Sequence, residues 1–327
     1  MQGFSELQLG RLDDVRVSVV LHPGATLLSL TAGTMGGRPH GIPRHWRQAV
    51  VAAAPRNTPE VLRPLFAPQF SVIPDCVSPT VSMSEVDADT HLERLADLSP
   101  DTLLSELEAE FPPAVPAQWR SVVERPRAWI QAYSHLMRVL WQEFRPVWQR
   151  ADSLLKRERE RVGAAAVANR LETVLTDLSP RFRFSGTTLG LPDQQAKRFD
   201  LNGRRLALVP IVSGSGASIF AFDHPDTTWI GYPLPALGLL WEGGTGDVKA
   251  SDPLVLTLGK ARATILRVAG ASLTMSEIAS LLRSTPAAAT YHCSQLEAAG
   301  LLHRERHGRH VRVRTTDRGE ALVGLLA

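Results

Sequence analysis

The densest chemistry in this 327-residue chain lies near its C-terminal end, in HRERHGRHVRVR at positions 303–314. Five arginines, Arg304, Arg306, Arg309, Arg312 and Arg314, stand against one acid, Glu305. Side chains alternate about the pair His307-Gly308, which reads as a β-hairpin. A guanidinium offers phosphate oxygens two parallel N–H bonds, so the implied chemistry is recognition of a polyanion. Just upstream, TPAAATYHCSQLEAAG (285–300) reads as a helix. Thr285 caps it, Pro286 sits in its first turn, and Gly300 stops it. Ala287 and Ala288 are small enough to let the helix approach a groove closely. Thr290, Tyr291, Ser294 and Gln295 then reach base edges or phosphates, while Ala289, Cys293 and Leu296 face inward.

The elements that must hold these groups follow from the same stretch. LTMSEIASLL places Thr274 as a cap with Glu277 three residues on, a capping box that opens a helix before a short turn. Ahead of it, PLVLTLGKARATILRVAG reads as one helix ended by Gly270, and TDRGEALVGLLA as a short last helix that packs on it or lies between protomers. Two helices joined by a tight turn, followed by a cationic hairpin, predict a winged helix-turn-helix domain over 252–327. Charge agrees: from residue 251 on there are ten Lys/Arg against six Asp/Glu, whereas the first 250 residues hold 26 against 27. The basic excess is therefore confined to the last quarter, as expected of a module that binds double-stranded DNA.

Other chemistries find less support in the residues. Two cysteines far apart, Cys76 and Cys293, form neither a disulfide framework nor a zinc knuckle, and fit a reducing cytoplasm. Cys293 reads as a buried thiol or as a redox switch, and Cys76 as loop packing or a nucleophile. GTMGGRPHG lacks the Lys-Ser/Thr of a phosphate loop, and GSGAS is not a nucleophile elbow. No metal site, cofactor or catalytic residue is expected. The longest apolar run, LALVPIVSGSGASIFAF, is broken by Pro210, Gly214 and Gly216 and is too short for a bilayer span, so no membrane segment is expected.

The segment 273–322 resembles the ArsR-type winged-helix regulators. The likeness rests on SEIASLL, on TPAAATYHCSQLEAAGLL, and on the arginine, GR, threonine and glycine pattern that follows. It implies a homodimeric DNA-binding regulator and an inward position for Cys293, and of the two readings of His292, phosphate contact or helix packing, it favours the first. Metal-sensing members carry a cysteine pair on the helix that is TMSEIASLL here, or Asp/His ligands on a long last helix. Neither is present in this chain, so the resemblance does not extend to a metal. The upstream region is similar to long bacterial ArsR-like regulators with a large N-terminal domain of unknown function, through IPDCVSP, RPVW and LALVPIV.

That upstream region, 1–245, is expected to be a mainly helical α+β domain with a small antiparallel sheet, joined near 243–250 to the C-terminal domain. VRVSVVL predicts a strand, and PRHWRQAVVAAA and NTPEVLRPLF short helices. SEVDADTHLERLADL and SPDTLLSELEAEF each open on a serine with acids in the first turn. A Trp-rich helix follows, with Pro146 expected to kink or divide it. Trp129, Tyr133 and Trp141 on it admit two readings, a helical core or the aromatic wall of a pocket for a small-molecule effector. RFRFSG, KRFDLNGRRLALVP, ASIFAF and TWIGYP predict strands, with Asn202-Gly203 as a hairpin turn. The functional expectation is a DNA-binding transcription regulator, a repressor, whose N-terminal domain senses an effector or mediates dimerisation. The hairpin contacts expected on DNA are Arg304, Arg306, Arg309, His310 and Arg312. The alternative is an enzyme in the first 245 residues that carries a DNA-targeting module.

Overall fold

The computed structural model describes residues 3–35, 41–66, 73–78, 87–193, 196–222, 227–238, 240, 252–269, 273–282, 284–307 and 310–326, with backbone alone at Ser280, Arg306, His307 and His310. The class is α+β. Helices α1 (Pro23–Thr34), α2 (Arg44–Ala53), α3 (Thr58–Leu62), α4 (Ala88–Ala96), α5 (Pro100–Glu110) and α6 (Arg120–Glu124) gather around α7 (Pro126–Val167), followed by α8 (Leu171–Thr176). Caps start these helices where the sequence supplies them. Ser99 accepts from the Thr102 amide at the head of α5, and Asp87 from the Thr90 amide at the head of α4. The serine expected to open α4, Ser84, lies outside the described residues.

Helix α7 is continuous for 42 residues with Pro146 inside it, so the proline does not divide the segment. Leu136, Leu140, Phe144, Val147, Ala151 and Leu155 lock one face into the largest apolar cluster on both sides of the proline. That burial outweighs the loss of one backbone hydrogen bond at Pro146.

The strands correct the expectation of one small antiparallel sheet. They form two four-stranded mixed sheets. The first orders β3 (Arg183–Ser185), β4 (Thr188–Asp193), β1 (Gly3–Gln8) and β5 (Arg198–Asp200), with β1 parallel to β5 and antiparallel to β4. The second orders β2 (Val17–Val19), β6 (Arg205–Ile211), β8 (Thr227–Pro233) and β7 (Ile219–Ala221); β2, β6 and β8 are parallel. Asn202-Gly203 is a tight turn with both residues at positive φ, 49° and 73°. It nonetheless makes no hairpin, because β5 and β6 belong to different sheets. The reason is legible in β6 itself: residues 206–211 are an unbroken apolar run, buried on both faces, the mark of a parallel strand covered on both sides. Leu206 and Leu208 face a cluster shared with Leu7, Leu189, Leu191 and Val162, while Ala207, Val209 and Ile211 pack with Ala25 of α1.

A separate apolar cluster is built only from residues 254 onward. Here α9 (Pro253–Leu258) and α10 (Lys260–Val268) replace the single helix expected, because Gly259 at φ 76° turns the chain. Then come β9 (Leu273–Thr274), α11 (Met275–Leu281), α12 (Pro286–Ala298), β10 (Leu302–His307), β11 (His310–Thr315) and α13 (Asp317–Leu326). The three strands form an antiparallel sheet in the order β10-β11-β9. The linker expected at 243–250 lies outside the described residues. Among the described residues, no helix is long and apolar enough to cross a membrane.

Candidate functional site

Helix α12 is set by its two ends and one buried edge. Thr285 accepts a hydrogen bond from the Ala288 amide at 3.2 Å, and Gly300 stops the helix at φ 68°. Ala289, Cys293 and Leu296, at intervals of four and three, are buried in the C-terminal cluster. The opposite face therefore points outward. Thr285, Ala287, Thr290, Tyr291 and Gln295 are exposed, and Ala288, His292 and Ser294 half-buried. Tyr291 is 58% exposed, unusual for a ring of its size, and its edge meets the His292 ring at 5.4 Å. The Thr290 and Ser294 hydroxyls donate to the carbonyls of Pro286 and Thr290 at 2.8 and 2.9 Å, which leaves their oxygens as acceptors on the outer face. Nδ1 of His292 is buried and finds no hydrogen-bond partner among the described residues.

Helix α11 is held by a reciprocal capping box. The Thr274 amide donates to Glu277 Oε2 at 2.8 Å, and the Glu277 amide to Thr274 Oγ1 at 3.4 Å. Because Thr274 also belongs to β9, which pairs with β11, one residue fixes the angle between α11 and the hairpin.

The hairpin register places its arginines on two faces. Arg304 lies opposite Val313, and Arg306 opposite Val311; Val313 is fully buried. Arg312 lies opposite Glu305 and Arg314 opposite His303, so these four occupy the other face. On the first face Arg304 pairs with Glu297 near the end of α12, its Nε donating to Oε2 at 2.7 Å; that bond holds the Glu297 carboxyl below its usual range. On the second face Arg312 pairs with Asp177, the residue that follows α8. Arg314 donates to the other oxygen of the same carboxylate at 2.6 Å and to the Thr176 carbonyl at 3.1 Å. Asp177 was not singled out from the sequence. Its partners lie more than 130 residues away, and no local pattern marks it.

Arg309 lies outside the described residues, as do the side chains of Arg306 and His310. Trp129, Tyr133 and Trp141 sit in the helical core. Trp129 stacks on Tyr133 at 5.2 Å and donates to the Val61 carbonyl at 3.0 Å, and Tyr133 donates to the Val77 carbonyl. Of the two readings of these aromatics, this packing is that of the core. Burial pushes the Cys293 thiol up to about 11, which keeps it a thiol at neutral pH and favours its packing role. Burial and the neighbouring Glu106 carboxylate likewise push Cys76 up. His22 and His91, rings edge to face at 5.1 Å, are driven down to about 3 and about 4, chiefly by burial. Among the described residues, no group of three or more His, Cys, Asp or Glu side chains is placed to hold a metal ion. Set beside known proteins, the chain matches no family model, no curated protein and no solved structure.

Proposed function

We propose that residues 252–326 act as a winged helix-turn-helix unit, with α12 entering the major groove of duplex DNA and the β10–β11 hairpin as its wing. In this reading the protein is a transcription regulator, a repressor, and residues 1–240 adjust its hold on DNA in response to an effector. One observation carries the proposal. Helix α12 seals a core with one edge and leaves a small, polar outer face beside a hairpin rich in arginine. Its width and side chains suit a groove in which base edges offer donors and acceptors. A homodimer would set two such helices about 34 Å apart on a pseudo-palindrome. Leu256 of α9 and Leu325 of α13 are left 68% and 79% exposed.

The test is selection from a random duplex library, followed by titration of the recovered sequence. Replacing both Tyr291 and Gln295 by Ala is expected to erase about tenfold or more of the preference for that sequence over random duplex. The slope of affinity against salt should change little, because bases and not phosphates are lost. Recovery of no sequence at about 50 mM salt, where phosphate contacts are strongest, would refute the reading.

A further inference from the structure

We infer that Asp177 is an internal stand-in for DNA phosphate, one that latches the wing against the rest of the protein and withholds two arginines from nucleic acid. The inference rests on the DNA-binding reading above and adds a mode of regulation to it.

The geometry is that of phosphate recognition. One carboxylate, 9% exposed, takes a guanidinium on each oxygen, and Arg314 adds the carbonyl of Thr176. Two guanidinium groups converging on one small anion is the arrangement by which arginines grip a phosphate. Both side chains are more covered than a free wing needs, Arg314 at 17% exposure and Arg312 at 29%. The arginines are interchangeable between carboxylate and phosphate, so the two partners exclude each other at the same groups.

The joint also includes a close backbone contact. Gly238 lies against Val268 and the Arg267 carbonyl of α10, close enough that a Cβ there would sit 3.0–3.1 Å from both. Beside this contact a cavity of about 30 Å³, lined by Asp177, Pro180, Ser215, Leu237, Arg267 and Val268, has room for about one water. A joint closed by an ion-pair clamp can open when another anion takes the arginines. In the latched form the wing grips DNA through its other arginines alone. In the open form Arg312 and Arg314 join them.

The experiment compares Asp177→Asn, which keeps volume and removes charge, with wild type on a random-sequence duplex across a salt series. The variant is expected to bind roughly 10- to 100-fold tighter, the worth of the charged hydrogen bonds no longer competing. Its log–log salt slope should steepen by about 1.8, for two added phosphate contacts. Adding Arg312→Ala and Arg314→Ala to Asp177→Asn should cancel both gains. Glu172→Gln removes an equal charge from the adjoining helix α8 and should leave binding unchanged; an equal gain there would overturn the latch in favour of general electrostatics. A second readout uses wild-type protein alone: saturating duplex should raise amide hydrogen exchange at 171–178, and an unchanged rate would overturn the latch even if the variant fails to fold. If wild type binds duplex and Asp177→Asn binds with the same affinity and slope, the latch fails and the DNA reading stands. If neither binds duplex, the DNA reading fails and the latch with it.

Discussion

Glu158 should be among the most sensitive positions in the protein. It is a carboxylate 3% exposed, midway between helix and sheet. It accepts the Tyr232 hydroxyl of β8 at 2.7 Å and both Nε and an η-nitrogen of Arg161 at 2.7 and 2.8 Å. Glu158→Ala strands a fully buried phenol hydroxyl without an acceptor, a loss of about 1–3 kcal/mol. It also strands the Arg161 guanidinium; breaking a buried ion pair costs roughly 3–5 kcal/mol, but that side chain is 35% exposed and water recovers part. The sum should fall at about 3–4 kcal/mol. Tyr232→Phe removes a donor while leaving Glu158 its two bonds to Arg161, so about 1 kcal/mol is expected. Converting Glu158, Arg161 and Tyr232 together to Leu, Leu and Phe should cost less than Glu158→Ala alone, because no charge is then left unpaired. Urea unfolding followed by circular dichroism, with m-values compared, reads all three. The reasoning is refuted if Glu158→Ala costs under about 1 kcal/mol, or if the triple replacement is the most damaging of the set.

The buried pair His22 and His91 predicts acid sensitivity. Their folded pKa values, about 3 and about 4, lie below the unfolded value of 6.5, so the unfolded chain binds protons first. Their contribution is complete above about pH 6.5 and is lost as pH falls, toward about 4 for His91 and about 3 for His22, by at most about 3 and about 5 kcal/mol. His91→Gln should flatten that part of the stability profile, and an unchanged profile would count against burial as the cause. Gly319→Ala should disrupt the C-terminal unit: a Cβ there overlaps the Leu301 carbonyl oxygen and would stand 2.6 Å from Thr315 Cγ2. A cost of about 3 kcal/mol or more is expected, since the obstacle is backbone and cannot rotate away; a melting temperature within a degree of wild type would contradict it.

The sequence made local features of the C-terminal unit readable. The capping box at Thr274 and Glu277, the cap at Thr285, the stop at Gly300 and the inward triad Ala289, Cys293 and Leu296 each lie within a few residues of their partners. Physical rules for helices act over that range. What escaped depends on distance. Asn202-Gly203 has the backbone of a hairpin turn, but which strands pair is decided by what covers Leu206 and Ala207 on opposite faces. The strand at Gly3–Gln8 gives little local signal because a serine, Ser5, takes one buried position and an aromatic, Phe4, the outer face, and its burial comes from a sheet almost 190 residues on. The apolar spacing continues across Gly259 and so hides the break between α9 and α10. Asp177 carries no local signal, and its meaning comes wholly from two arginines it meets in space.

The length of α7 has a mechanical consequence. Forty-two residues at 1.5 Å each make a rod of about 63 Å, and its two ends are sunk in different apolar clusters, Trp129 in one and Val162 in the other. Three residues past its end the chain enters α8, which delivers Asp177. Pro146 stands half-way along, where the rod lacks a hydrogen bond and is softest. A one-degree change of bend there swings the far tip by roughly half an ångström, a visible fraction of a hydrogen-bond length. Pressure on the tryptophan end would thus be felt as displacement at the anchor of α8, as a crowbar converts a small rotation at its fulcrum into travel at its tip.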